Sequence, residues 1–146
     1  MKRYQDWPER LRKYIDQRLT RQMEWGKNDC VLFTAGAIEA MSGSDPAHWC
    51  RGEYASKVGA IRQVALLGCR TFQEATIKCF DEIMRRKPLT QNLEAGDIVL
   101  ADIENLDPTA TGPTTGVIDF SGGMLVPGQR GLCVVDDMEV QIVWSL

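Results

Sequence analysis

The chain has 146 residues, 44% of them apolar and 25% charged, with a net charge of −3; this predicts one domain with a buried core and argues against nucleic acid as the main partner. No run approaches the roughly 18 uninterrupted apolar residues of a membrane span, and the opening "MKRYQDWPER" lacks the apolar stretch of a secretory signal, so a cytosol-like compartment is expected. Five cysteines, Cys30, Cys50, Cys69, Cys79 and Cys133, stand at irregular spacing with no CxxC pair, so neither a disulfide framework nor a metal or other cofactor is expected.

Charge is uneven along the chain. Residues 1–28 hold eight basic and four acidic residues, residues 29–87 eight and seven, and residues 88–146 one basic residue, Arg130, against nine acidic ones. Two readings fit: a basic helix lying near an acidic sheet, or a two-faced surface that docks on partners of opposite charge.

In chain order, Asp6, Pro8 and Glu9 read as a helix start with Asp6 as N-cap. Leu11, Tyr14, Ile15, Leu19 and Met23 continue at helical spacing and leave Arg10, Lys13, Asp16 and Arg21 for solvent. A second helix is expected from Asn28 or Asp29, either of which can cap it, through Val31, Leu32, Phe33, Ala35, Ala37, Ile38 and Met41 to Ser42-Gly43. Apolar residues surround nearly all of it, which marks a central buried helix. The turn-rich "GSDPAHWCRGEY" follows. Ser56 caps a third helix carrying Ala60, Ile61, Val64 and Leu67 and ended by Gly68; Thr71 with Glu74 opens a fourth, with Phe72, Cys79, Phe80 and Ile83 on one side.

After Pro88 the pattern changes. "AGDIVLADI", "TGVIDFSG", "MLVPG", "LCVVDD" and "EVQIVWSL" are short Val- and Ile-rich runs between turn residues, and they read as strands. "NLDPTATGPTTG" reads as a long polar loop. The expected architecture is a single α+β domain over 1–146: a basic helix and loop in 1–27, a helical half in 28–87 and an antiparallel sheet half in 88–146.

Several blocks now stand in order. They are Trp25-Gly26-Lys27-Asn28-Asp29-Cys30, Gly43-Ser44-Asp45-Pro46, Arg51-Gly52-Glu53-Tyr54 with Gly59-Ala60, Gly96-Asp97, and a late Trp144. Together they resemble the NlpC-type branch of the papain-like cysteine peptidases and, more closely, a small offshoot carried by phages and prophages; the likeness spans about residues 20 to 146. The resemblance implies a papain-like α+β fold with a Cys-bearing helix on the sheet, and a place among tail proteins in the virion after synthesis in the host cytoplasm. It also implies Cys30 as the nucleophile's position and Thr115 at the position of the family's histidine.

Physical chemistry divides the case for Cys30. A thiol at a helix N-terminus sits at the positive end of the dipole, which favours thiolate. Asp29 next to it opposes thiolate unless its carboxylate caps the helix. Thr115 accepts no proton from a thiol at neutral pH. The one histidine, His48, lies in the turn after a helix of about 18 Å. Seven extended residues span about 24 Å, so the chain has the length to double back, but "SDPAHWC" reads as an exposed turn. Trp25 is a groove wall or a packing residue, Asp97 an orienting carboxylate or a turn residue leading into a strand. Arg51 and Tyr54 are ligand contacts or loop anchors.

Three functions follow. The first is a phage tail or tail-tip component with lapsed catalysis that acts through other tail proteins. The second is an active cysteine hydrolase that opens peptidoglycan with Cys30, and the third a cytosolic module that holds a small ligand in the old cleft.

Overall fold

The computed structural model describes residues 2–104 and 112–146. Among them the chain forms α1 (Trp7–Asp16), α2 (Cys30–Ser42), α3 (Lys57–Leu66) and α4 (Phe72–Ile83). The strands are β1 (Arg85–Lys87), β2 (Ile98–Ile103), β3 (Thr114–Ile118), β4 (Met124–Gly128), β5 (Gly131–Val135) and β6 (Met138–Ser145). This is the expected α+β plan, with four helices packed against one antiparallel sheet of six strands in the order β1-β6-β2-β3-β4-β5. Residues 105–111 of the expected polar loop lie outside the described residues.

Helix α2 starts and stops where its caps dictate. Leu32 N–H donates to the Asp29 carboxylate at 2.9 Å, and Gly43 closes the helix with a φ of 85°. Its two sides serve different neighbours. Phe33, Ala37, Ile38 and Met41 pack with α1 and with Ile98, Val117 and Trp144 of the sheet, while Leu32 and Ala35 pack with Ala47, Cys50, Tyr54 and Ala60. A helix buried on both sides needs apolar residues all round, and this one has them. Ser56 and Thr71 cap α3 and α4 as expected, accepting from Gly59 N–H and Glu74 N–H.

Two expectations about the first helix fail. Asp6 stands at the N-cap and Pro8 in the first turn, as expected, but the Asp6 side chain makes no capping bond; its backbone is not extended, and its carboxylate instead accepts from Arg10 Nε at 2.8 Å. The helix also stops at Asp16 instead of running to Met23. Leu132 N–H donates to the Leu19 carbonyl (3.0 Å) and Met23 N–H to the Gly128 carbonyl (2.8 Å), so the β4–β5 hairpin captures this backbone. Leu19 is left 52% exposed. A third departure is β1, which forms inside the expected helical half and pairs with β6, Arg86 opposite Trp144.

The connection between β5 and β6 fixes the shape of the sheet. Four inter-strand steps separate these strands, about 19 Å if the sheet were flat. Asp136 and Asp137 alone join them, and that link spans at most about 11 Å. The sheet therefore rolls, helped by the irregular register between Leu100 and Ala101 against β6. Val99, Ala101, Ile118, Met124, Val126 and Val143 fill the inside of the roll. The opposite face, carrying Ile98, Leu100, Val117 and Trp144, meets the helices.

Candidate functional site

Strand β3 passes the first turn of α2. Alternation along the strand points Thr115 the same way as Val117, toward the helix, and Thr115 Oγ1 donates to the Cys30 carbonyl at 3.2 Å. Thr115 is buried and Cys30 half-buried. The two residues that the sequence paired, one from each half of the chain, are thus brought together.

Asp29 is consumed by structure. One carboxylate oxygen accepts from Leu32 N–H; the other accepts from Gly26 N–H at 3.1 Å and from the Tyr54 hydroxyl. Burial pushes its carboxyl above the ordinary 3.8, against the pull of these three donors. Burial likewise pushes the Tyr54 hydroxyl up, with the Asp29 charge adding to it. Arg51 clamps the same region: it forks onto Asp45 (2.7 and 3.1 Å) and donates to the Leu32 carbonyl at 3.3 Å. Residues 44–54 therefore do return along α2, as a doubled-back path requires, and Arg51 and Tyr54 are the anchors that hold them there.

His48 gains nothing from that return. It is exposed on the turn and does not line the cleft beside Cys30. Cys50, two residues on, faces inward, and burial, reinforced by the Asp29 charge, pushes its thiol up to about 12. None of the five cysteines is in a disulfide, and among the described residues no three His, Cys, Asp or Glu side chains group to hold a metal ion. No described helix is long and apolar enough to cross a membrane.

The cleft has a volume of about 320 Å³ and is framed by four parts of the chain. Trp25, Cys30 and Val31 come from the start of α2 and the turn before it, Ala60 and Ile61 from α3, and Phe72 and Thr76 from α4. The sheet contributes Leu100, Thr115 and Pro127. Trp25 lines this cleft and also packs against the cluster around Leu32 and Tyr54. Two cations, Lys57 and Arg70, stand at the lining, and Asp29 is its one described acid.

Asp97 does not line the cleft, which corrects its place among the cleft candidates. It precedes β2, beyond the Ile98–Val117 pair and away from Thr115. Its carboxylate accepts from Lys87 Nζ and from Glu94 N–H, both at 2.8 Å. The turn reading is the one the geometry carries. What the sequence missed is the contribution of α3 and α4 to the cleft. Ile61, Phe72 and Arg70 carry no local mark of it, because only long-range packing brings those helices over the start of α2.

The raised carboxyl of Asp29 yields a pH prediction. A carboxyl whose folded value exceeds its unfolded one stabilises the fold fully below the unfolded value, near 3.8, and loses that contribution as pH rises through the folded value. Asp29→Asn does not titrate. The stability gap between the parent and Asp29→Asn should therefore be widest below about pH 4 and narrow as pH rises from there, as read from urea midpoints at each pH. A gap that widens with pH would mean that the carboxylate, not the acid, is favoured in the fold.

The model of a protein family described as a domain of unknown function (DUF6950) matches residues 2–146. No curated protein and no solved structure matches the chain.

Proposed function

This chain belongs to the DUF6950 family, a domain of unknown function, and we propose that it is a phage tail or tail-tip component with an NlpC-like papain fold and lapsed catalysis, located in the virion and acting through contacts with other tail proteins. The observation that carries this reading is the residue facing the first turn of α2. A cysteine opens a buried helix beside the sheet, where a papain-like nucleophile would stand, and the strand across from it presents Thr115. Threonine neither takes the thiol proton nor holds an imidazolium charge. The chain's one histidine is exposed on a turn outside the cleft. The acid next to the cysteine is committed to capping, and Arg51 and Tyr54 to holding the loop.

The test is the reactivity of Cys30. At about pH 6 a thiolate–imidazolium pair is almost wholly ionised, whereas an ordinary thiol is thiolate to well under one part in a hundred. Alkylation of Cys30 at that pH, followed by peptide mapping, should match a model thiol and run on the order of a hundredfold slower than a paired cysteine. Purified protein should release nothing from cell-wall peptides, and Cys30→Ser should leave assembly and infectivity nearly intact. Rapid alkylation that His48→Ala abolishes would overturn the lapsed reading and promote the hydrolase.

A further inference from the structure

Helix α3 is apolar on the wrong side for a solvated helix. Val58, Ile61, Arg62, Ala65 and Leu66 fall at i, i+3, i+4, i+7 and i+8, which places them on one face. That spacing ordinarily marks the buried stripe, and from sequence Ile61 reads as core. The fold instead buries Ala60 and Val64 and leaves Val58 61%, Ile61 53% and Leu66 78% exposed. Contiguous exposed apolar side chains of this size mark contact surfaces more often than isolated ones do. Ile61 is also a wall of the cleft, so the exposed face and the cleft are continuous.

Bases outnumber acids around this surface; Glu74 is the acid beside Arg70, and its carboxylate accepts from the Arg70 backbone N–H at 3.2 Å. From residue 55 to residue 73 there are three bases, Lys57, Arg62 and Arg70, and no acid, in a chain of net charge −3. Lys57 and Arg70 reach the cleft, and Arg62 lies within the exposed face of α3. The first turn of α4, at Thr71, Phe72 and Gln73, also lines the cleft and adds the positive end of its helix dipole. Asp29, the one acid among the described lining residues, is turned to three donors of its own chain.

We propose that the cleft and the outer face of α3 form a single docking surface for a partner-protein segment whose apolar side chains are flanked by carboxylates. The apolar side chains supply burial, some in the cleft and some along Val58 and Leu66. The carboxylates meet Arg62 and Arg70 and set the register and direction of the segment. The proposal rests on the reading that the chain works through protein contacts, and it assigns those contacts a place and a chemistry.

The experiment is affinity selection of a randomised peptide library on the purified full chain, with a synthetic representative of the enriched peptides measured in solution. Enriched peptides should carry Asp or Glu beside large apolar residues, and the synthetic peptide should shield Cys30 from alkylation at mildly alkaline pH. Amide replacement of its carboxylates, or Arg62→Glu with Arg70→Glu in the protein, should weaken binding by about tenfold or more. The doubly reversed protein, its fold verified by circular dichroism, should instead enrich basic peptides. The proposal is overturned by failure of any peptide to enrich, by enrichment without acids, or by binding that ignores the charge reversal. It is also overturned if the chain self-associates and Leu66→Asp yields monomers, since a second copy would then cover the face. None of these outcomes reads hydrolysis. Failure of docking with slow Cys30 alkylation leaves the lapsed-catalysis reading standing, and fast alkylation with acidic peptides bound removes that reading alone.

Discussion

Lys87→Met is expected to destabilise the protein by about 3–5 kcal/mol, the usual cost of removing one partner from a buried ion pair. Asp97 is completely buried, and the Lys87 side chain is 11% exposed. Their contact, Nζ to Oδ2 at 2.8 Å, ties the edge strand β1 to the turn that starts β2. One oxygen of Asp97 has two donors, Lys87 and Glu94 N–H; the other, Oδ1, has no hydrogen-bond partner among the described residues. Methionine keeps most of the apolar stem of lysine, so the substitution isolates the charge. It leaves a carboxylate out of water with one backbone N–H. The double variant Lys87→Met with Asp97→Asn should recover much of the loss, because no uncompensated charge then remains buried. Urea unfolding of the parent and the two variants reads both effects. A loss below about 1 kcal/mol for Lys87→Met would match an exposed pair and show that water reaches Asp97.

That ion pair also marks where the sequence stops being legible. Helix α2 was readable because two local signals agreed, an Asp at the cap and apolar residues on every side. The strands after Pro88 were readable because β-rich runs alternate with turn residues, and alternation alone turns Thr115 to the helix along with Val117. β1 was not readable: Arg85-Arg86-Lys87 has no strand pattern, and it becomes a strand only because β6 offers an unpaired edge and Asp97 draws Lys87 inward. The overlong first helix has the same origin. Leu19 and Met23 satisfy helical spacing, but the carbonyl of one and the N–H of the other are taken by the β4–β5 hairpin. At the site, the facing pair of Cys30 and Thr115 follows from local patterns plus the resemblance. The walls from α3 and α4 follow from packing between segments distant in sequence, which no local pattern records.

Gly26→Ala is expected to cost about 2–5 kcal/mol, combining an alanine forced to positive φ with overpacking of a closed contact. Gly26 has a φ of 81°, and a Cβ there would overlap the Tyr54 carbonyl oxygen and lie 2.8 Å from its carbonyl carbon. The obstacle is backbone, so no rotamer relieves it. The Gly26 carbonyl accepts from Gly52 N–H at 3.3 Å, which presses residues 52–54 onto this spot. A methyl group must therefore lift that segment, and lifting it strains the Tyr54 bond to Asp29 and the Arg51 bond to the Leu32 carbonyl together. The glycine of the Trp25-Gly26 pair is in this sense the floor on which the returning loop rests, one hydrogen bond away from the cap of α2. Tyr54→Phe gives the control: it keeps the ring and the backbone contact and removes one buried donor, so it should cost less, about 1–3 kcal/mol. Thermal melts of the two variants, with peptide docking measured on each, separate the effects. Gly26→Ala should lose docking along with stability, because Trp25 and Cys30 on either side line the cleft, whereas Tyr54→Phe should retain most of it. A Gly26→Ala protein as stable as its parent would show that residues 52–54 do not lie against the turn.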